Sequence, residues 1–280
     1  MNPFFSDASR LISFTQIIVE QSKNVLTIKL NRPEKRNAFT PTMIAELAYA
    51  LQYAQHNSEI WCVVLEANGP VFSAGMDLNV FQNPDLDIKN EELPQPQREI
   101  TIGDAFTMLC KPSIAKIEGN VFAGGFLFVC GCTFVIASEN VEFSLPEVKR
   151  GIFPMQVMAS LLKIMPQRKV LEMCVLGKSY TAKEAYEMGI VTHLVHSNDN
   201  PNESKISIQE FVDELVNEIL QNAPFAIKKG MEALNVLENI EESMKHAFLI
   251  NQLNEIRKSE DAQEGINAFR EKRKPIWKNG

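Results

Sequence analysis

The chain lacks the marks of several common protein classes. No His/Cys cluster has zinc-ligand spacing, and Cys130-Gly131-Cys132 is too tight for an ordinary C-x-x-C redox pair, so no metal site is expected. No G-x-G-x-x-G opens a helix, which counts against a dinucleotide fold, and no serine sits in a G-x-S-x-G elbow. The longest apolar run, Val121 to Ala137, contains three glycines and falls short of the roughly 20 residues of a membrane-spanning helix. Met1 to Phe14 has no continuous apolar stretch after a basic start, so no signal peptide is expected. Trp277 to Gly280 carries no address signal. A cytoplasmic location without membrane attachment follows by default. Basic residues are in deficit, 28 Lys and Arg against 35 Asp and Glu for a net charge of −7, which argues mildly against a nucleic-acid partner. The five cysteines (Cys62, Cys110, Cys130, Cys132, Cys174) are odd in number and lie in apolar stretches. Buried thiols in a reducing compartment are expected.

What is present suits a globular α/β protein. A 280-residue chain with 45% hydrophobic and 22% charged residues allows one large domain, or a domain with an appendage. Two apolar runs, Ile17–Glu20 and Val25–Leu30, flank a polar tetrapeptide and predict a hairpin. The loop Asn31 to Phe39 carries three cations in five residues. Thr40-Pro41 then starts a helix to about Ala54, with Met43, Leu47, Ala50, Leu51 and Ala54 as its apolar stripe. Trp61 to Ala67 reads as a strand, and Gln82 to Arg98 as a polar, acidic, proline-bearing loop. For that loop a lid and an inert insertion both remain open. A helix over Thr101–Leu109, strands over Ser113–Glu118, Thr133–Ala137 and Val141–Ser144, and a short buried helix over Gly125–Gly131 follow. Beyond Met155 the pattern is mostly helical, and Asn198 to Ser204 is the linker candidate.

Chemistry is suggested at three places. Phe72-Ser73-Ala74-Gly75-Met76-Asp77-Leu78 and Gly119-Asn120-Val121-Phe122-Ala123-Gly124-Gly125 each follow a strand-like run and turn through small residues. Two such turns either aim two backbone N–H groups at one developing oxyanion or are simply tight turns. In Phe143-Ser144-Leu145-Pro146-Glu147-Val148 a carboxylate follows a proline-fixed bend among apolar neighbours. Glu147 is there a general base or acid with raised proton affinity, or an exposed turn residue. Asp77 reads as a helix N-terminal cap before a base, and His193 and His196 as solvated or capping groups.

In order along the chain these segments resemble the crotonase (enoyl-CoA hydratase/isomerase) superfamily. Asn31-Arg32-Pro33-Glu34-Lys35-Arg36-Asn37-Ala38 resembles its N-R-P-x-x-x-N-A loop, and residues 72–78 its F-x-A-G-x-D-L turn. Gly119–Gly125 resembles its second glycine turn, with Ala123 where the first of three glycines is usual, and Phe143–Glu147 its F-x-x-P-E segment. Thr181-Ala182-Lys183-Glu184-Ala185 with Met188-Gly189-Ile190-Val191, and Phe269 to Pro275, match two further family stretches. The resemblance implies a crotonase-like spiral of ββα repeats over residues 1–196, then a helical trimerisation region over 197–280. Homotrimers or dimers of trimers are usual. It also implies an acyl-CoA thioester substrate, with coenzyme A entering as part of that substrate and no separate cofactor. Its oxyanion hole maps to the N–H groups of Met76 and Gly124, and its catalytic carboxylate to Glu147. The resemblance places CoA or substrate contacts at Lys35, Arg36, Ala38, Ala74, Asp77, Leu78, Phe122, Leu127, Pro154, Met155 and Lys272, the last serving its own or a neighbouring subunit.

The departures from the pattern are informative. The second glutamate of family hydratases maps to Leu127, and the glycine whose N–H helps to hold their water maps to Met155. The family's phosphate-binding lysine is replaced by Asn79. Hydration needs a positioned water and an acid/base pair, whereas a 3-enoyl to 2-enoyl shift needs one shuttle. The sequence therefore favours an isomerase with Glu147 acting alone. A hydratase and a non-catalytic acyl-CoA-binding paralogue are the alternatives.

Overall fold

The computed structural model describes residues 3–196, 206–237 and 239–280. The linker candidate, residues 198–204, lies outside them. Among the described residues ten strands form two sheets. The larger has the order β1 (Ile17–Ser22), β2 (Val25–Leu30), β3 (Cys62–Ala67), β5 (Ser113–Ile117), β7 (Phe134–Ser138), β10 (His193–Val195). Only β1–β2 is antiparallel, the predicted hairpin in register Ile17↔Leu30 to Ser22↔Val25. The smaller sheet has the order β4 (Val71–Ser73), β6 (Asn120–Phe122), β8 (Glu142–Ser144), β9 (Ser179–Thr181), with β4, β6 and β8 mutually parallel.

The chain alternates between the sheets. β3 leads to β4, β5 to β6, and β7 to β8, and each pair is followed by helical structure. This is the expected spiral of ββα turns. Because β4, β6 and β8 are parallel neighbours, with Ser73 opposite Val121 and Phe122 opposite Ser144, their C-terminal ends lie side by side. The three segments singled out in the sequence leave from those ends.

Alternation within the central strands decides what lies on each face. Val63, Leu65, Ala115 and Ile117 face the main core, which α1 (Pro41–His56) fills with Met43, Leu47, Ala50, Leu51 and Ala54. Cys62, Val64, Ile114 and Ile136 face the other way and are covered by α8 (Ile208–Leu220) through Ile208, Val212, Val216 and Ile219. That stripe at helical spacing makes α8 part of the sheet's packing, and each such buried side chain contributes about 1.5–3 kcal/mol. Ser207 and Glu210 start the helix with a reciprocal capping box. The remaining helices are α2 (Leu78–Gln82), α3 (Ile102–Met108), α4 (Phe126–Gly131), α5 (Met155–Leu161), α6 (Gln167–Leu176) and α7 (Ala182–Glu187), then α9 (Pro224–Leu237), α10 (Glu242–Arg257) and α11 (Glu260–Glu271).

The loop after α2 is neither a free lid nor a loose insertion. Asp87 accepts hydrogen bonds from the Thr42 N–H and hydroxyl, both at 2.9 Å, at the start of α1. Asn90 donates to Ser13 O and to the buried Glu46, and Glu92 accepts from the Ser13 N–H at 3.0 Å. Gln97 N–H reaches Phe4 O at 2.8 Å. Polar residues that read as a solvated loop are thus a strap holding the N-terminal segment against α1.

All five cysteines are free; Cys62, Cys110 and Cys174 are buried, whereas Cys130 and Cys132 are only half-buried. His196 pairs with Glu139 at 2.9 Å, and His193 contacts Thr192 Oγ1 and the Phe211 ring. Among the described residues no helix is long and apolar enough to cross a membrane, and no group of His, Cys, Asp or Glu could hold a metal ion.

Candidate active site

The turn after β4 is laced from below by the loop at 31–39. Asn37 is fully buried; its side chain accepts from the Arg32 N–H and donates to Asn68 O and Val71 O, all at 2.8 Å. Its carbonyl takes the Ser73 hydroxyl, whose oxygen in turn accepts the Gly75 N–H at 3.2 Å. Arg36 O accepts the Ala74 N–H, Phe39 N–H donates to Gly75 O, and Asp77 N–H donates to Phe39 O. In this parallel bridge Phe39 bonds the residues on either side of Met76, so the Met76 N–H points away from it.

The second turn lies against the first. Gly75 has φ +86°, and a Cβ there would sit 2.8 Å from Ala123 Cβ and 2.9 Å from Gly124 N. Only glycine permits that conformation and that approach. Gly124 occupies the second position of the 3-10 turn Ala123–Gly125 that leads into α4, where an N–H has no partner within the helix. The two turns thus pack directly against each other, and no backbone partner takes either N–H among the described residues. Ala123 itself takes φ +52°, a conformation costing a non-glycine residue about 1–2 kcal/mol.

The third segment brings Glu147. Pro146 to Arg150 is a 3-10 helix closed by Gly151 in the left-handed region, φ +75°. Glu147 is half-buried, and its Oε2 is buried without a hydrogen-bond partner among the described residues. Desolvation raises its proton affinity; its own backbone N–H and the Arg150 charge offset this only in part. A rate that depends on Glu147 as a base is therefore expected to fall with decreasing pH about a midpoint above the ordinary glutamate range. Arg150→Met is expected to move that midpoint higher, and a pH–rate profile of the two proteins checks both.

These groups share one cavity of about 670 Å³, lined by Ala74, Met76, Leu78, Ala123, Gly124, Glu147, Pro154 and Met155 together with Phe81, Gln82, Arg150, Ile152, Phe153, Gln156 and Val157. Glu147 is the only carboxylate on that wall among the described residues. Met155 begins α5, and its N–H is engaged by Phe153 O at 2.9 Å.

Other expected contacts lie elsewhere. Lys35 and Asp77 line a smaller cleft of about 380 Å³ with Arg32, Asn79 and Asn83, and Gln82 is common to both cavities. Asp77 caps α2 through the Asn79 and Val80 N–H groups and pairs with Arg32 at 3.1 Å, so it is a scaffold residue, as the cap reading had it. Arg36 and Ala38 act on the turn through their carbonyls, Ala38 O accepting from Arg32. Phe122 ends β6 and does not line the cavity, and Leu127 is buried in the hydrophobic core. Lys272 is the exposed left-handed cap of α11 and lines neither cavity. Arg150 escaped the sequence reading, yet its spacing held a signal: in a 3-10 helix residues i and i+3 eclipse, so Arg150 sits over Glu147.

A family model described as enoyl-CoA hydratase/isomerase matches residues 20–280. The chain is 30% identical over 266 residues to enoyl-CoA hydratase EchA19 of Mycobacterium tuberculosis, covering 94% of this chain and 96% of that protein. It is 29% identical over 270 residues to 2,3-dehydroadipyl-CoA hydratase of Escherichia coli, covering 94% and 99%. Among solved structures, an enoyl-CoA hydratase from Mycobacterium tuberculosis superposes with a TM-score of 0.79 at 26% identity, covering 95% of this chain and 99% of that one.

Proposed function

Because the chain belongs to the enoyl-CoA hydratase/isomerase family, and is thus an acyl-CoA enzyme, we propose that it moves the double bond of a 3-enoyl-CoA to the 2-position with Glu147 as its only proton shuttle. The thioester oxygen accepts hydrogen bonds from the N–H groups of Met76 and Gly124, which stabilise the enolate as it forms. Glu147 takes a proton from C2, and the C–H electrons pass into the thioester as its enolate; when the enolate collapses they form C2=C3, and the C3=C4 pair takes the proton back from the carboxylic acid at C4. No water is consumed, and atoms and charge balance. The nucleotide end of CoA would lie toward Lys35 and the smaller cleft.

The observation that carries this reading is that, among the described residues, Glu147 is the single carboxylate on the cavity wall. Leu127 turns into the core, and the Met155 N–H is already engaged, so neither replaces the second glutamate or the water-holding glycine expected of hydratases. The relatives' names favour a second reading, addition of water to a 2-enoyl-CoA. Product analysis with a 3-enoyl- and a 2-enoyl-CoA separates the two. The assembly we infer is a homotrimer or a pair of trimers, in keeping with the exposed apolar side chains of the C-terminal helices, among them Leu234, Met244 and Phe269.

A further inference from the structure

Arg150 bears on which acyl chain the cavity takes. With the thioester oxygen at Met76 and Gly124 and the reacting carbons at Glu147, the rest of the acyl chain meets a wall built from Phe81, Ile152, Phe153, Met155 and Val157. That wall is apolar except for Gln82, Gln156 and Arg150, and Arg150 is the only cation lining the cavity among the described residues. Its position is set by the 3-10 helix it shares with Glu147. Glu147 feels its charge, yet among the described residues no ion pair joins the two and no hydrogen bond holds the guanidinium.

An apolar tail filling this space would strip water from the guanidinium and give it nothing in return. A carboxylate at the tail's end would instead meet a planar fork of donors that matches its two oxygens. We propose that Arg150 is a specificity-determining residue, selecting acyl-CoA thioesters whose acyl chain ends in a carboxylate. The proposal rests on the acyl-CoA reading of the cavity.

The test is equilibrium binding of free CoA, hexanoyl-CoA and adipoyl-CoA to the full chain and to Arg150→Met. The two esters share six acyl carbons and differ only at the last. Neither has a double bond to shift or hydrate, so the readout is independent of the reaction catalysed. The native protein is expected to bind adipoyl-CoA about tenfold more tightly than hexanoyl-CoA. Arg150→Met is expected to abolish that preference, with hexanoyl-CoA bound at least as tightly as by the native protein because the desolvation cost of the guanidinium is gone, and to leave the fold intact, since an exposed side chain carries little folding energy. The proposal is overturned if the native protein binds hexanoyl-CoA as well as adipoyl-CoA, or if the preference survives in Arg150→Met. An equal loss of both esters and of CoA in the variant also overturns it, because it puts the guanidinium on the CoA phosphates. Failure of all three ligands to bind the native protein overturns the acyl-CoA reading itself.

Discussion

Glu147→Gln is expected to lower the turnover of an enoyl-CoA by about 10²- to 10⁴-fold, the usual range for loss of a general base. The reason is geometric. The cavity wall offers no other carboxylate among the described residues, so nothing stands ready to take over the proton. Gln has the same shape, and the Glu147 Oε2 has no partner to lose. Binding of a CoA thioester is therefore expected to persist, and the variant should melt at the same temperature as the native protein or slightly higher. Steady-state kinetics, ligand binding and a thermal melt check the three parts. Turnover within tenfold of the native value would remove Glu147 from the mechanism.

Gly124→Ala is expected to cost about 10²- to 10³-fold in turnover, comparable to loss of one oxyanion donor. A Cβ on Gly124 would lie 2.8 Å from Phe39 Cζ. The Phe39 ring is buried edge-on against Phe128 with centroids 5.6 Å apart. Its backbone bonds both Gly75 and Asp77, so the ring cannot retreat without dragging the residues around Met76. Overpacking of this kind typically destabilises by about 1–3 kcal/mol, which a large domain tolerates, so the variant should fold with a lowered melting temperature. A second change, Phe39→Leu, makes room for the methyl group and should restore part of the activity. If Gly124→Ala alone keeps nearly full turnover, the contact between Gly124 and the Phe39 ring does not set the position of the oxyanion donors.

The parts legible in the sequence were those with local causes. The β1–β2 hairpin and the Thr40-Pro41 start of α1 each depend on residues a few positions apart. The pairing of β4, β6 and β8 was not legible, because three-residue strands are too short to show a period and their register is set by non-local bonds. Without that pairing the two glycine turns and Glu147 are three separate hints; with it they become one site. The loop at 31–39 stands out in the sequence for its cations, yet its main structural work is done by Asn37, whose side chain reaches residues 31 and 34 positions on, and by backbone carbonyls with targets still farther along the chain. The strap after α2 was read from composition alone, and composition does not reveal that Asp87 and Asn90 have buried partners on α1.

In the proposed reaction the carboxylate on the cavity wall moves a proton along the acyl chain without adding water. The most direct measurement is to incubate the purified protein with a 3-enoyl-CoA and, separately, with a 2-enoyl-CoA, and to follow both by mass spectrometry with chromatographic separation of the isomers. The expected result is conversion of the first to its 2-enoyl isomer without change of mass, with no water added to the second. Gain of one water by the 2-enoyl-CoA at a rate matching or exceeding the isomerisation would contradict the claim and give the chemistry to a hydratase.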